Sequence, residues 1–330
     1  MSSRVFEIRA LLDRIVPKHG HGGAPFTLPP SIIEIQPGFV VAGRLEGMPR
    51  PRLRSIAMQP LGSGALQPSA SLENVRQFET VLEAMDQVAE LAGHRGSRVG
   101  VLVPDPVMRV SILTFESLPS RLRDLKALVC WRMKDSLPFP ADEARLSYQI
   151  LKRTAGQVEM LAVVARDSVV SEYEHLGESL GSNAVLVLPT TMALLPLISK
   201  EDSGADLLIH LCADWVTSVM IEKGLVRFWR TRTLDSDSLD QRTHDLTAEV
   251  ARAAASVKDR FQVENTRVWL SARPAVDARL EAEMCEAVGT EIQPLSTTES
   301  YWAGLGVEQI ELGKTYGAPF AGLVANQGLA

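Results

Sequence analysis

Residues 104–151 read PDPVMRVSILTFESLPSRLRDLKALVCWRMKDSLPFPADEARLSYQIL, and the interpretation of the whole chain starts from this stretch. Its apolar residues predict a strand over Val107–Phe115 and a helix over Pro119–Leu137. The two prolines of Leu137-Pro138-Phe139-Pro140 end that helix sharply. A second strand is predicted over Leu146–Leu151, so the stretch forms a small unit of mixed strand and helix.

The residues that follow extend this unit. A strand over Val158–Ala165 is predicted to pair with the preceding strand around the turn Thr154-Ala155-Gly156. A helix over Asp167–Leu180 and a short strand over Val185–Leu188 come next. We therefore assign residues 107–185 to one small α+β subdomain.

Before this subdomain, the chain begins with a β-hairpin followed by a helix and a strand. The hairpin is predicted over Ser31–Leu45. Apolar residues spaced three and four apart predict an amphipathic helix over Leu72–Leu91, capped by Ser69 or Ser71. A short buried strand over Val99–Val103 completes the set.

The same order returns after the subdomain. Strands are predicted over Leu207–Cys212, Trp215–Ile221 and Leu225–Thr231, with a long helix over Asp245–Phe261 after them. A hairpin thus leads each half of the chain, and alternating helices and strands follow it. Two related α/β lobes, with the subdomain inserted into the first, account for this repeat.

Composition excludes several classes of function. The net charge is -6, which gives the chain as a whole no electrostatic footprint for nucleic acid. The three cysteines lie far apart, a pattern typical of reduced thiols in a cytoplasm. No segment is predicted to span a membrane. Residues 6–16 form an amphipathic pattern, which predicts either a helix on a membrane surface or a helix docked on protein.

The quoted stretch resembles the PilM family of type IV pilus assembly proteins. In that family the same region reads as a strand, an "LP", a helix and then "PFP…DYQVL", matching Leu118-Pro119, Pro138–Pro140 and Tyr148–Leu151 here. Met160–Ala165 resembles the family's "VLLVAA". The likeness extends over roughly residues 30–325 and is mainly one of pattern outside these motifs. The cytoplasmic domain of the type II secretion protein GspL is a close cousin.

The resemblance implies a bilobal actin-like fold, that is, a duplicated RNase H-like α/β fold, with ATP in the cleft. The predicted division is 1–30 for an amphipathic N-terminal segment and linker, 31–106 plus 186–205 for the first lobe, 107–185 for the inserted subdomain, and 206–330 for the second lobe. The second lobe is expected to lack the family's small helical subdomain, since Leu234 and the helix predicted at Asp245 are only about ten residues apart.

The resemblance also implies a partner. PilM lies on the cytoplasmic face of the inner membrane and binds the short N-terminal tail of the membrane protein PilN near the inserted subdomain. We therefore expect a cytoplasmic protein peripheral to the inner membrane, serving a pilus or a type II secretion-like system. The expected partner-binding residues come from the strand and the proline-rich elbow: Val107, Val110, Ile112, Leu137, Pro138 and Phe139.

The first phosphate-holding turn of the family is not reproduced here. Its pattern is roughly D-I-G-S-S-S-V-K, whose small residues and backbone N–H groups hold phosphate while the Lys supplies charge. An ungapped alignment places Glu34 at the Asp and Gln36 at the Gly. Pro37, which has no N–H, takes the place of a Ser, Gly38 follows, and Val41 replaces the Lys.

The second and third turns depart in the same way. Against the family's D-I-G-A-S, His210 replaces the metal-side Asp, Cys212 replaces the Gly, and Asp214 stands where a phosphate oxygen is bound. The third turn has Ala272 and Arg273 where the family has two glycines beneath the adenosine. These substitutions predict a pseudo-ATPase without a bound cofactor or metal ion.

Several alternatives stay open at this point. The chain could be an actin-like ATPase that still binds Mg-ATP through substituted ligands, with Glu34 carrying the metal. Glu34 and His210 could form an acid/base pair or a hydrogen bond left from the ancestral site. Trp131 and Phe139 could be anchors for a partner or part of the core. Self-assembly into an actin-type filament is the remaining hypothesis.

Overall fold

The computed structural model describes residues 28–47, 51–94, 96–198, 204–234, 238–261, 266–295 and 297–327. The amphipathic segment predicted near the N-terminus, and the linker up to residue 27, lie outside these ranges. Within them, no helix is long and apolar enough to cross a membrane. The chain divides into two compact units, one made mostly of Leu197–Ser296 and the other of most remaining residues.

The first sheet lies in the larger unit and has the order β3-β2-β1-β4-β8. The strands β1, β2 and β3 pair antiparallel, whereas β1, β4 and β8 run parallel. The strands are β1 Ser31–Gln36, β2 Phe39–Glu46, β3 Arg52–Pro60, β4 Arg98–Val103 and β8 Asn183–Pro189. All six residues of β1 are buried, as expected for the central strand of a covered sheet.

Helix α1, Phe78–Leu91, covers β2 and β3 through its buried face. It begins six residues later than predicted. The backbone N–H groups of Asn74 and Val75 donate to the Glu172 carboxylate, at 2.7 and 2.9 Å, and so form a loop instead of a helical turn. Ser69 accepts bonds within this loop and does not cap the helix.

The second sheet repeats the first. Its order is β11-β10-β9-β12-β13, with β9, β10 and β11 antiparallel and β9, β12 and β13 parallel. The strands are β9 Ala205–Cys212, β10 Trp215–Glu222, β11 Leu225–Thr233, β12 Thr266–Arg273 and β13 Ile292–Pro294. The two sheets therefore share one strand order and one pattern of directions, which confirms the predicted duplication.

Two helices pack on the second sheet: α5, Leu239–Phe261, and α6, Ala278–Val288. Their buried side chains form one apolar core with the facing residues of the strands. Helix α5 starts six residues earlier than predicted. Residues 234–238 are all that separate β11 from α5, which is too short a connection for a helical subdomain.

The inserted unit contains a three-stranded sheet of order β5-β7-β6 and helix α2. Its elements are β5 Arg109–Phe115, α2 Leu122–Arg132, β6 Ala144–Thr154 and β7 Gln157–Arg166. Met160, Ala162 and Val164 of β7 form a core with α2. The strand predicted from Val107 begins at Arg109, because Asp105–Val107 forms a 3-10 turn.

The predicted limits of the inserted subdomain differ at its C-terminal side. Helix α3, Asp167–Ser179, had been placed inside the subdomain, but it packs mainly on β8 and also on β4 of the first sheet. Tyr173 and Leu176 are fully buried there. The compact part of the insertion therefore ends with β7.

The predicted second lobe, 206–330, is also too long. Helices α7, Val307–Tyr316, and α8, Ala318–Gln327, pack on β3 of the first sheet. Helix α8 also packs on α4, Thr190–Leu194. The physical reason is apolar burial, since Phe320 and Leu323 of α8 are completely covered in the larger unit.

Candidate functional site

The turn between β1 and β2 is a tight two-residue connection. Gln36 pairs with Phe39 in the strand register, so Pro37 and Gly38 alone form the loop. Gly38 has φ +94°, a left-handed value that glycine adopts without strain. Pro37 has no N–H, and Val41 on β2 is fully buried and carries no charge.

Glu34 is hydrogen-bonded by side chains of its own unit. Gln36 Nε2 donates to Glu34 Oε1 at 3.0 Å and to Thr190 Oγ1 at 2.8 Å. The Thr190 hydroxyl lies 3.1 Å from Glu34 Oε1, which can accept its proton. All three side chains are buried. The amide of Gln36 thus occupies bonding positions on the carboxylate that stands where the family has its metal-side Asp.

A second buried carboxylate lies at the same edge of the first sheet. Asp105 follows β4 and accepts a hydrogen bond from the Thr191 backbone N–H at 3.0 Å and one from the Thr191 hydroxyl. Thr190 and Thr191 begin α4 directly after β8. Sequence reasoning missed these residues, although the carboxyl ends of neighbouring parallel strands meet at one edge.

His210 lies at the end of β9 and is completely buried. Its Nδ1–H donates to the Ser271 carbonyl at 3.1 Å, which leaves Nε2 to accept from the Cys212 thiol at 3.4 Å. Burial, and then the positive charge of Arg273, lower the pKa of His210 to about 3. His210 is therefore neutral at pH 7 and offers no negative charge to a metal ion.

Asp214 lies in the two-residue connection between β9 and β10 and is half-exposed. Its carboxylate lies 3.4 Å from Arg242 Nη1, and the same nitrogen donates to the Ala213 carbonyl at 3.2 Å. Asp214 puts a negative charge where the family binds a phosphate oxygen, and Arg242 offsets part of that charge.

A groove of about 1040 Å³ opens beside this connection, between the N-terminal part of α5 and helix α6. Cys212, Ala213, Arg242 and Pro274 are among its lining residues. Ala272 and Arg273 do not line it, and Arg273 is largely buried. Arg273 therefore does not obstruct this groove, and the second unit retains a concave surface at this edge of its sheet.

The residues predicted to bind a partner are not all available. Val107 and Phe139 are buried, and Phe139 belongs to the core of the inserted unit. Their side chains are covered by the protein itself and are not exposed to a partner in this structure. Val110, Ile112 and Leu137 are half-buried and Pro138 is exposed. Of the two aromatic anchors considered, Trp131 is the exposed one.

No known family model matches the sequence, and no curated protein matches it significantly. Solved structures do match. A chain of the PilM–PilN type IV pilus biogenesis complex aligns with a TM-score of 0.68 and 17% identity, over 90% of this chain and 98% of that chain. A Bacteroides thetaiotaomicron protein with an actin-like ATPase fold aligns with a TM-score of 0.51 and 10% identity, over 80% and 89%.

The chain has an actin-like ATPase fold. The resemblance to PilM is thereby confirmed at the level of the fold. A weaker similarity is to the cytoplasmic domain of EpsL, an inner membrane component of the Vibrio cholerae type II secretion system. Its TM-score is 0.46 at 13% identity, over 82% of this chain and 91% of that one.

An actin-like fold implies Mg-ATP, and the turns of this chain do not offer the groups that a Mg-triphosphate requires. The first turn lacks an N–H at Pro37 and a cation at Val41. Gln36 already donates to the Glu34 carboxylate, and His210 is neutral. Among the described residues, no group of three or more metal-ligating side chains comes together.

Proposed function

We propose that this chain is a non-catalytic cytoplasmic scaffold of a type IV pilus or type II secretion-like assembly. In this proposal it binds the short cytoplasmic tail of a PilN-like membrane protein and is thereby held at the periphery of the inner membrane. The observation that carries the proposal is the likeness to a chain of the PilM–PilN complex over 90% of the residues.

The proposed lack of catalysis rests on the first turn. An ATPase needs small residues and free backbone donors around the phosphates and a carboxylate available to the metal and its water. Here the Gln36 amide bonds to Glu34, which is completely buried, and proline stands at the start of the loop. Replacing both the donors and the available acid removes the main sources of transition-state stabilisation.

The proposed tail-binding surface is the edge of the inserted sheet. Strand β5 lies at one edge of the β5-β7-β6 sheet and presents half-buried Val110 and Ile112. The exposed Pro138 and half-buried Leu137 follow α2 in the same unit. An extended tail can add to such an edge through main-chain hydrogen bonds while alternate side chains occupy apolar positions.

The test is calorimetric titration of the full chain with synthetic N-terminal tails of single-helix membrane proteins encoded beside it. We expect one tail to bind with a dissociation constant on the order of 10 µM. Ile112→Asp should weaken binding at least tenfold, because a charge would enter the apolar contact. Leu91→Asp, at an exposed leucine of α1, is the matched control and should bind normally.

The groove of the second unit favours one competing function, binding of Mg-ATP through substituted ligands. Calorimetric titration with Mg-ATP distinguishes this function from tail binding. We expect no heat of binding with Mg-ATP. A micromolar dissociation constant for Mg-ATP would overturn the non-catalytic part of the proposal. Failure of every tail to bind would overturn the proposal that a PilN-like membrane protein is the partner.

A further inference from the structure

Helix α2 of the inserted unit has one buried face and one exposed face. Leu125, Val129 and Cys130 are buried in the core of the subdomain. At about 100° per residue, Trp131 lies on the opposite side of the helix and is 62% exposed. Leu122, nine residues earlier, is also exposed but lies about 180° from Trp131 around the helix axis, so among the described residues Trp131 is the large exposed apolar side chain on this face of α2.

The exposed face of α2 is strongly basic. The segment 121–135 carries five cations and two carboxylates, a net charge of +3 in a chain whose total is -6. Arg123 lies on one side of Trp131, Arg121 and Arg132 lie on the other, and Lys134 follows in the next turn. These four cations are exposed, and within the residues that the structure describes none has a carboxylate partner.

The two carboxylates offset this positive charge only in part. Asp124 is exposed two turns before Trp131 on the same side of the helix, and Asp135 is exposed beyond the end of the helix, so the four cations still outnumber them. Lys126 donates to the Asp142 carbonyl at 3.2 Å, so it is engaged with the neighbouring loop. Isolated surface cations are ordinary, whereas cations on both sides of an exposed tryptophan form an amphipathic surface.

We propose that this face of α2 binds the surface of an anionic lipid bilayer. Trp131 would enter the headgroup region, where tryptophan is favoured, and Arg121, Arg123, Arg132 and Lys134 would contact lipid phosphates. This site goes beyond the proposed tail binding and does not depend on it. It gives the chain a second, weaker contact with the same membrane and fixes which unit faces it.

Charge complementarity favours an anionic bilayer as the partner of this face of α2. The rest of the chain is net negative, so an anionic surface repels it everywhere except at a basic patch. Each cation close to such a surface raises partitioning about fivefold at low salt. The apolar contribution is small, since one tryptophan is involved. Binding should therefore be reversible and strongly dependent on ionic strength.

Vesicle flotation of the full chain tests this directly. We expect it to float with phosphatidylcholine vesicles that contain phosphatidylglycerol at low salt, to be released by about 0.5 M salt, and to ignore phosphatidylcholine alone. Arg132→Glu with Lys134→Glu should reduce binding at least tenfold. Lys258→Glu with Arg260→Glu, on exposed positions of α5, changes the net charge equally and should leave binding intact.

Fluorescence quenching by brominated lipids locates the contact. Trp131 is the exposed one of the five tryptophans, so it should account for most quenching, and Trp131→Phe should abolish it. Equal flotation of the Arg132/Lys134 variant and the original chain would overturn the proposal and point to another segment. Absence of vesicle binding, with capture of an acidic peptide at this face, would assign the face to a protein partner instead. Neither result would alter the tail titration.

Discussion

Gln36 determines the state of the carboxylate two residues before it. In the family that the sequence resembles, this position is a glycine and leaves space for phosphate. Here its amide donates to both Glu34 and Thr190 in a completely buried setting. Buried polar groups are expensive when unpaired, so the side chain has become part of the structural core of its unit.

This gives a prediction about stability. Gln36→Ala removes a donor from a buried carboxylate and should lower the free energy of unfolding by about 1–3 kcal/mol. Urea denaturation measures the loss. Gln87→Ala, on the exposed face of α1, is the matched control and should change stability by less than about 0.5 kcal/mol. If Gln36→Ala left the free energy of unfolding unchanged, the Gln36 side chain would not be needed for stability and the turn would still be free to bind a ligand.

His210 makes a prediction about acid stability. Its pKa is about 3 in the folded chain and near 6.5 when unfolded, so the unfolded state binds a proton that the folded state does not. His210 therefore costs stability as the pH falls from about 6.5 towards 3, at up to about 1.4 kcal/mol per pH unit. Above pH 6.5 the effect is absent.

The measurement compares urea unfolding of the original chain and His210→Gln between pH 7 and pH 4. The variant should be less stable at pH 7 and should lose less stability on acidification. His244→Gln, at an exposed position of α5, is the control for replacing a surface histidine. A constant difference between the His210 variant and the original chain would contradict a buried neutral imidazole.

At the scale of elements, the close crossing of α4 and α8 depends on one glycine. A Cβ on Gly322 would lie 1.8 Å from the Ala193 carbonyl oxygen, a backbone atom that cannot move aside. Gly322→Ala should therefore cost about 3 kcal/mol or prevent folding. Thermal unfolding measures this. Gly62→Ala, in a loop where nothing lies within 4 Å and φ is not positive, should be close to neutral.

The sequence predicted where most helices and strands occur, and the exceptions have local causes. Helix α1 was placed too early because the residues before it carry helical spacing. Only the folded chain brings Glu172 next to Asn74, 98 residues away, and turns that segment into a loop. Phe139 looked like a surface anchor beside two prolines, but the packing of α2 against β7 draws it into the core.

At the candidate site, the sequence shows which residues differ from the family's turns. It does not show the contacts that those residues make in the folded chain. That Pro37 has no N–H and that Val41 has no charge follows from the residue types alone. The bonding of Gln36 to Thr190, 154 residues away, could not be read from the sequence. The same is true of Arg242, which partly neutralises Asp214, and of the groove between α5 and α6.

At the scale of the whole molecule, the repeated hairpin correctly predicted two units with the same strand order. The route of the chain between them was predicted less well. Periodicity identifies α7 and α8 as helices but does not say which sheet they cover, because both sheets offer an apolar face. Burial of Phe320 and Leu323 in the larger unit settles that question.

The packing of α7 and α8 on β3 has a consequence for synthesis. Residues 297–327 leave the ribosome after every strand of both sheets has been translated. Translation adds about 5–20 residues per second, so the smaller unit can emerge and fold before α7 and α8 are available to cover β3. During those seconds the nascent chain exposes apolar surface to chaperones, and translation that stops near Ser296 would leave it exposed permanently.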